Sequence, residues 1–197
     1  TMLHALNELA VEVNRGDDAT IKAMEHFLDY CHTPPDATIL YKASDMILWV
    51  HSDSGYNNTP GAKSRAGGHF YLGNHPNKKH NHNGNILAIA KVIKNVMASA
   101  TEAELGAMYI NAREAIACRH TLQELGHQQP PTPIITDNLA AQGIINKTMK
   151  QRRSKAMDMR FHWLQDRAQQ KQIQIQWAPS KTNYADFYTK HHSAKHH

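Results

Sequence analysis

Four acids in this chain stand where carboxylates can do chemistry: Asp53, Glu104, Asp137 and Asp186. Asp53 ends the run Met46-Ile47-Leu48-Trp49-Val50-His51-Ser52, whose dense apolar residues predict a strand buried on both faces. Asp137 ends Ile134-Ile135-Thr136. The helix–strand–helix order there predicts the carboxyl end of a parallel strand, where ligand sites of open α/β sheets gather. Glu104 falls in the first turn of a predicted helix, and Asp186 opens a last short one. Four carboxylates gathered at one end of a sheet repel one another and raise each other's pKa, and a divalent cation is the natural remedy. Oxygen ligands without Cys or His suit Mg²⁺ or Mn²⁺, and two such ions can clamp the attacking water and leaving oxygen of a phosphodiester.

Each acid also has an ordinary structural reading. Asp53 can open the turn Ser54-Gly55-Tyr56-Asn57-Asn58, as Asp often does. Asp137 can share N-cap duty with Asn138, and Asp186 can complement a helix dipole. Ser99 with Glu102 and Thr101 with Glu104 both fit a capping box, in which the glutamate only ties off the helix start. At about 100° per residue, Glu104 lies roughly 60–70° from the centre of the apolar face and Glu102 roughly 90–100° away. Glu104 is therefore the one better aimed back at the sheet.

The elements that must hold these acids can be read along the chain. Residues 2–14 and 18–32 predict two helices, the second with Asp17 or Asp18 as N-cap and with Ile21, Met24, Phe27, Leu28 and Cys31 as its core-facing stripe. His32-Thr33-Pro34-Pro35-Asp36 breaks that helix and marks the internal boundary. Beyond it come a short strand or edge at Ile39-Leu40-Tyr41, the strand ending at Asp53, its hairpin partner Gly67–Gly73, and one or two strands over Ile86–Met97. Leu105, Met108, Ala112, Ala115, Ile116 and Leu122 recur at helical spacing up to a stop at Gly126. After the strand ending at Asp137 come two helices, the second over 154–170, and Gln172–Trp177, whose strict alternation predicts an edge strand. The fold class is α/β: a five-stranded mixed sheet flanked by helices, with a two-helix N-terminal extension over 1–36 and a His-rich tail at 193–197.

The 197 residues are 41% hydrophobic, enough for one ordinary domain with a helical extension. No apolar run approaches the roughly 18 residues of a membrane span. Two distant cysteines, Cys31 and Cys118, without a signal-peptide pattern, favour a reducing compartment. The Thr1 start and histidine-rich end suggest a piece of something longer. A net charge of +5, with 15 histidines in reserve, favours an anionic partner, nucleic acid first. Lys147, Lys150, Arg152, Arg153, Lys155 and Arg160 crowd one region with a single acid, Asp158, and read equally as a solvated face or a phosphate-binding surface. The loop histidines His75, His80 and His82 lack a Cys or acid at ligand spacing and read as solvated.

Taken together, several stretches resemble the ribonuclease H domain of copia-type LTR retrotransposon polyproteins. They are His51-Ser52-Asp53-Ser54-Gly55-Tyr56, Lys63-Ser64-Arg65-Ala66-Gly67-Gly68-His69-Phe70, Ala103-Glu104-Leu105-Gly106-Ala107, Thr136-Asp137-Asn138, Lys155–Leu164, Trp177-Ala178-Pro179, and Ala185-Asp186-Phe187-Tyr188-Thr189-Lys190. The likeness spans about residues 40–192 and is specific as a set, with the ribonuclease H-like domain at 37–192. Residues 1–36 resemble the tail of the preceding reverse transcriptase, and no Tyr-x-Asp-Asp polymerase motif occurs. The resemblance implies Mg²⁺-dependent hydrolysis of the RNA strand of an RNA–DNA hybrid, with Mn²⁺ able to substitute. Asp53 would bridge two ions, Glu104 and Asp137 would hold the one nearer the leaving group, and Asp186 the one that activates water. Glu-Leu-Gly-Ala again selects Glu104 over Glu102.

Further expectations follow from the same resemblance. The partners would be the hybrid and the reverse transcriptase domain of the same polyprotein, with no membrane. The setting would be a cytoplasmic retrotransposon particle, with the nucleus as a second location. Lys147, Lys150, Arg152, Arg153 and Lys155, with Asn138, would contact nucleic acid through phosphates and shape. One departure is that Pro179-Ser180-Lys181-Thr182 lacks the histidine that many ribonucleases H carry before the last catalytic Asp; His191 or His192 would have to substitute. Two rivals remain: a degenerate domain that binds or tethers without cutting, and an integrase-like strand transferase, which would need a Glu in the last helix where this chain has Asp186.

Overall fold

The computed structural model describes residues 2–12, 14, 16–33, 36–79, 82–149 and 159–192. Its centre is a five-stranded mixed sheet built on β1 (Ile47–Thr59). On one side β1 pairs antiparallel with β2 (Lys63–Gly73), which pairs with β3 (Asn85–Ile93). On the other side it pairs in parallel with β4 (Thr132–Thr136), which pairs with the edge strand β5 (Ile173–Trp177). The order is β3-β2-β1-β4-β5. β1 runs six residues past Asp53 because its hairpin with β2 continues, through an irregularity between Gly55 and Thr59, to the Thr59–Lys63 pair.

Alternation along β1 decides what each residue meets. Leu48 and Val50 face a core shared with Phe70, Ile134, Ile173 and Ile175 from the neighbouring strands. The helices α3 (Ala100–Glu124), α4 (Leu139–Ile145) and α5 (Met159–Gln169) close this core with Met108, Ala112, Ala115, Leu122, Ala141, Ile145, Phe161 and Leu164. The opposite face carries Ile47, Trp49, Tyr71 and Ile135. Next to it, the rings of His51, His69, His82 and Tyr184 stack edge to face or tilted, with centroids 4.3–6.2 Å apart. Asp53 continues this odd-numbered face and Ser54 the even-numbered one.

The helices α1 (Leu3–Glu12) and α2 (Asp18–His32) form the N-terminal pair. Asp17 caps α2, accepting from the Thr20 amide at 2.8 Å. The stripe expected to face a core does so only in part: Phe27 and Cys31 are half-buried, with Cys31 Sγ 3.4 Å from Met2 Sδ just before α1, while Ile21, Met24 and Leu28 are 52%, 44% and 59% exposed. The period is helical, but α2 leans on α1 and its apolar stripe meets no second face among the described residues. Residues 37–46 form no strand; Leu40 instead accepts from the Gly84 amide (3.1 Å) and Tyr41 Oη donates to the Asn85 carbonyl (2.9 Å). No helix among the described residues is long and apolar enough to cross a membrane.

Candidate active site

Asp53, Glu104 and Asp137 come from β1, α3 and the end of β4. Each offers one carboxylate oxygen, and the three oxygens lie within 4.8 Å of one another. The capping ambiguity at α3 resolves by division of labour. Ser99 caps the helix and accepts from the Glu102 amide at 3.2 Å, while Glu102 accepts from the Ala98 amide at 2.8 Å. Glu104 is 6% exposed and takes both the amide (3.1 Å) and the hydroxyl (2.8 Å) of Ser54 on one oxygen. A second division occurs after β4: Asn138 caps α4, accepting from the Ala141 amide at 2.9 Å, which leaves the Asp137 carboxylate free for the cluster. Trp177 Nε1 holds the Asp137 carbonyl at 2.9 Å.

Asp186 lies in a 3₁₀ helix, Tyr184–Tyr188. It joins the trio through a cation: Lys190 Nζ pairs with Asp186 Oδ1 and stands 3.5 Å from Asp53 Oδ2. Thr189 donates its hydroxyl to the same Asp53 oxygen, and His192 Nε2 faces Asp186 Oδ2 at 3.5 Å. His191, the other histidine considered in place of the absent loop histidine, turns away onto Glu8. Asn183 anchors the segment by donating to the Ser52 carbonyl at 3.0 Å, and the Tyr184 amide donates to His51 Nδ1 at 3.2 Å. Sequence reasoning assigned no role to Lys190, Thr189, Ser54 or Asn183. The spacing of Asp186 and Lys190 by four is the one signal that could have paired two of them.

The electrostatics are those of a site short of positive charge. Burial, then the neighbouring Asp53 charge, pushes Glu104 up to about 8. Burial also lifts Asp53, to about 6, against the pull of Lys190 and Thr189. Lys190 is drawn down by burial, but Asp53 and Asp186 outweigh this and hold its ammonium above its ordinary value. The second oxygen of Glu104 is buried with no hydrogen-bond partner. Three carboxylates at one point, one with an orphaned oxygen, fit a hard divalent cation.

Gly67, opposite Asp53 on β2, lets the last segment approach. A Cβ there would lie 2.6 Å from the Ala185 carbonyl oxygen and 2.6 Å from Thr189 Cγ2. Gly67→Ala is expected to displace the stretch carrying Asp186 and Thr189 and to destabilise the fold by about 1–3 kcal/mol, the range for overpacking. Urea unfolding measures this; an unchanged midpoint would show that the segment gives way at no cost.

Of the residues expected to touch nucleic acid, Lys147 is exposed between α4 and α5 in a left-handed conformation (φ 58°), and Asn138 is committed to its cap through Oδ1. Lys150, Arg152, Arg153 and Lys155 lie outside the described residues. Nearby, Arg160 donates to Asn95 Oδ1 at 3.0 Å.

No family model matches the chain. Its sequence is 25% identical over 169 residues to the retrovirus-related Pol polyprotein of transposon TNT 1-94 from Nicotiana tabacum; the match takes in 86% of this chain but only 12% of that polyprotein. Among solved structures, LC11-RNase H1, isolated from compost by a metagenomic approach, superposes with a TM-score of 0.53 at 12% identity over 73% of this chain and 93% of the other. The same enzyme in complex with an RNA/DNA hybrid gives a TM-score of 0.50 at 13% identity over 72% and 93%. The fold is the ribonuclease H fold, in a chain similar in sequence to a transposon Pol polyprotein.

Proposed function

We propose that this chain is a ribonuclease H that hydrolyses the RNA strand of RNA–DNA hybrids during retrotransposon reverse transcription, working beside the reverse transcriptase of the same polyprotein in a cytoplasmic particle. The observation that carries this reading is the meeting of Asp53, Glu104 and Asp137 from three separate elements within 4.8 Å. The carboxylates suit two Mg²⁺ or Mn²⁺ ions, which when bound supply Lewis-acid polarisation of a phosphodiester and a water of lowered pKa. The chain's own residues set the geometry. Ser54 fixes the Glu104 rotamer, Thr189 orients Asp53, and Asn183 pins the segment that brings Asp186 and Lys190 over the strand end.

Purified protein incubated with a labelled hybrid and Mg²⁺ tests the proposal directly. Cutting of the RNA strand, with an all-DNA duplex left intact, is the expected result; an intact hybrid in both Mg²⁺ and Mn²⁺ would overturn it. One observation favours the alternative of a degenerate, binding-only domain: Lys190 already bridges Asp53 and Asp186, which is how such a fold would balance its acids without a metal. The same assay separates the two readings.

Hybrid recognition rests on phosphates and 2′-hydroxyls rather than base edges. If the cationic stretch from Lys147 to Lys155 neutralises about four phosphates, affinity falls roughly 100-fold between 50 and 200 mM salt. Replacing Lys147, Lys150, Arg152 and Arg153 with Ala is expected to flatten that dependence, measured by fluorescence anisotropy. An unchanged slope would place the binding surface elsewhere.

A further inference from the structure

A second cluster of ligand-type side chains lies outside the acid cluster. His4 and Glu8 stand one turn apart on α1, and His191 follows the 3₁₀ helix that carries Asp186. His4 Nε2 is 3.4 Å from Glu8 Oε1, His191 Nε2 is 2.8 Å from Glu8 Oε2, and the two imidazole rings meet edge to face with centroids 4.3 Å apart. One ligand atom from each residue falls within 4.8 Å of the others. We propose that His4, Glu8 and His191 bind a single transition-metal ion of the Zn²⁺ class.

The chemistry distinguishes this site from the first. Two imidazoles and one carboxylate are borderline-soft donors suited to Zn²⁺, Co²⁺ or Ni²⁺, whereas the all-oxygen cluster around Asp53 suits hard cations. Ligand bonds of about 2.0–2.1 Å in a tetrahedron place neighbouring donors roughly 3.3 Å apart; the observed 3.4 and 2.8 Å lie on either side of that spacing. His4 is 3% exposed, and this burial limits the movement of its ring. The His191 side chain is 66% exposed, which gives an ion a way in and leaves a coordination position for water. Arg65 donates to the His4 carbonyl at 3.4 Å and sets a positive charge beside the site. The Glu8 carboxylate must offset it, so Glu8 is the ligand whose charge matters most.

The consequence is structural. An ion here ties α1 to the segment that carries Asp186 and Lys190, stapling the N-terminal helices to the rim of the acid cluster. The inference does not depend on the nuclease reading, because metal binding can be read without any cleavage.

Co²⁺ titration of the full chain provides the test, with His196→Ala and His197→Ala in the background to remove tail histidines. One equivalent is expected to give the strong visible absorption of a tetrahedral ion, to survive millimolar Mg²⁺ and to be displaced by Zn²⁺. His191→Ala and Glu8→Gln are each expected to weaken binding by more than the 10–100-fold that even outer-shell partners carry. Zn²⁺ should raise the melting temperature of the background protein but not of the His191→Ala variant, whose metal-free melting temperature stays at the parental value. Absence of a saturable signal, or an affinity in the two ligand variants equal to that of the background protein, would reduce the cluster to hydrogen bonds around Glu8.

Discussion

Asp53→Asn is expected to keep hybrid affinity within about two-fold while cleavage falls at least 1000-fold, roughly 4 kcal/mol of lost transition-state stabilisation. The substitution is close to isosteric, and an amide oxygen can still accept from the Thr189 hydroxyl, so the pocket's shape is preserved. What disappears is the buried negative charge at the centre of the cluster, 1% exposed and next to both Glu104 and Lys190. Binding is measured by anisotropy in EDTA, and cutting in Mg²⁺ by gel. Cleavage at the parental rate would remove Asp53 from the mechanism.

Glu104→Gln should trade activity for stability. Burial and the Asp53 charge raise the Glu104 pKa from 4.5 to about 8, so the folded metal-free protein holds a proton that the unfolded chain releases. Stability from this group is complete below pH 4.5 and is lost as pH climbs through about 8. Asp53, raised from 3.8 to about 6, acts in the same direction at lower pH. His69 opposes them: burial lowers it from 6.5 to about 4, so its contribution is present above pH 6.5 and fades on acidification. The metal-free melting temperature is therefore expected to decline from pH 6.5 to 9, and Mg²⁺ to restore more of it at pH 9 than at pH 6.5. Glutamine removes the charge but can still accept from Ser54, and should stabilise the metal-free protein by about 1–2 kcal/mol at pH 9, with a much smaller gain at pH 6.5. Cleavage should fall about as far as in Asp53→Asn. A melting temperature that ignores pH between 6.5 and 9 in EDTA would contradict the cluster's electrostatics.

What could be read beforehand, and what could not, follows the range of the forces involved. The run ending at Asp53 and the period of α3 are local patterns imposed by burial, and they placed the strand, the helix and the inward aim of Glu104. Both Ser99–Glu102 and Thr101–Glu104 fit a capping box, and only helix phase separates them. Ser99 and Glu102 take the cap, and Ser54, fifty residues earlier, holds the inward-aimed Glu104 with two donors that no local pattern announces. Lys190 escaped notice because its partnership with Asp53 depends on a segment folding back over β2 at Gly67, which no local pattern encodes. Part of the stripe on α2 stays exposed for the opposite reason: amphipathicity states that a face wants cover, and among the described residues Ile21, Met24 and Leu28 find none.

The return of the last segment onto β1 orders events during synthesis. Thr189 and Asp53 are 136 residues apart, so on the order of ten seconds of translation separates them at typical rates. Until then a nascent chain can gather its first three acids but has neither the fourth nor the ammonium that neutralises them. Between the synthesis of Asp137 and that of Lys190 the half-built pocket holds its carboxylates without the ammonium that later stands beside Asp53, and a cation from solution is what can take its place.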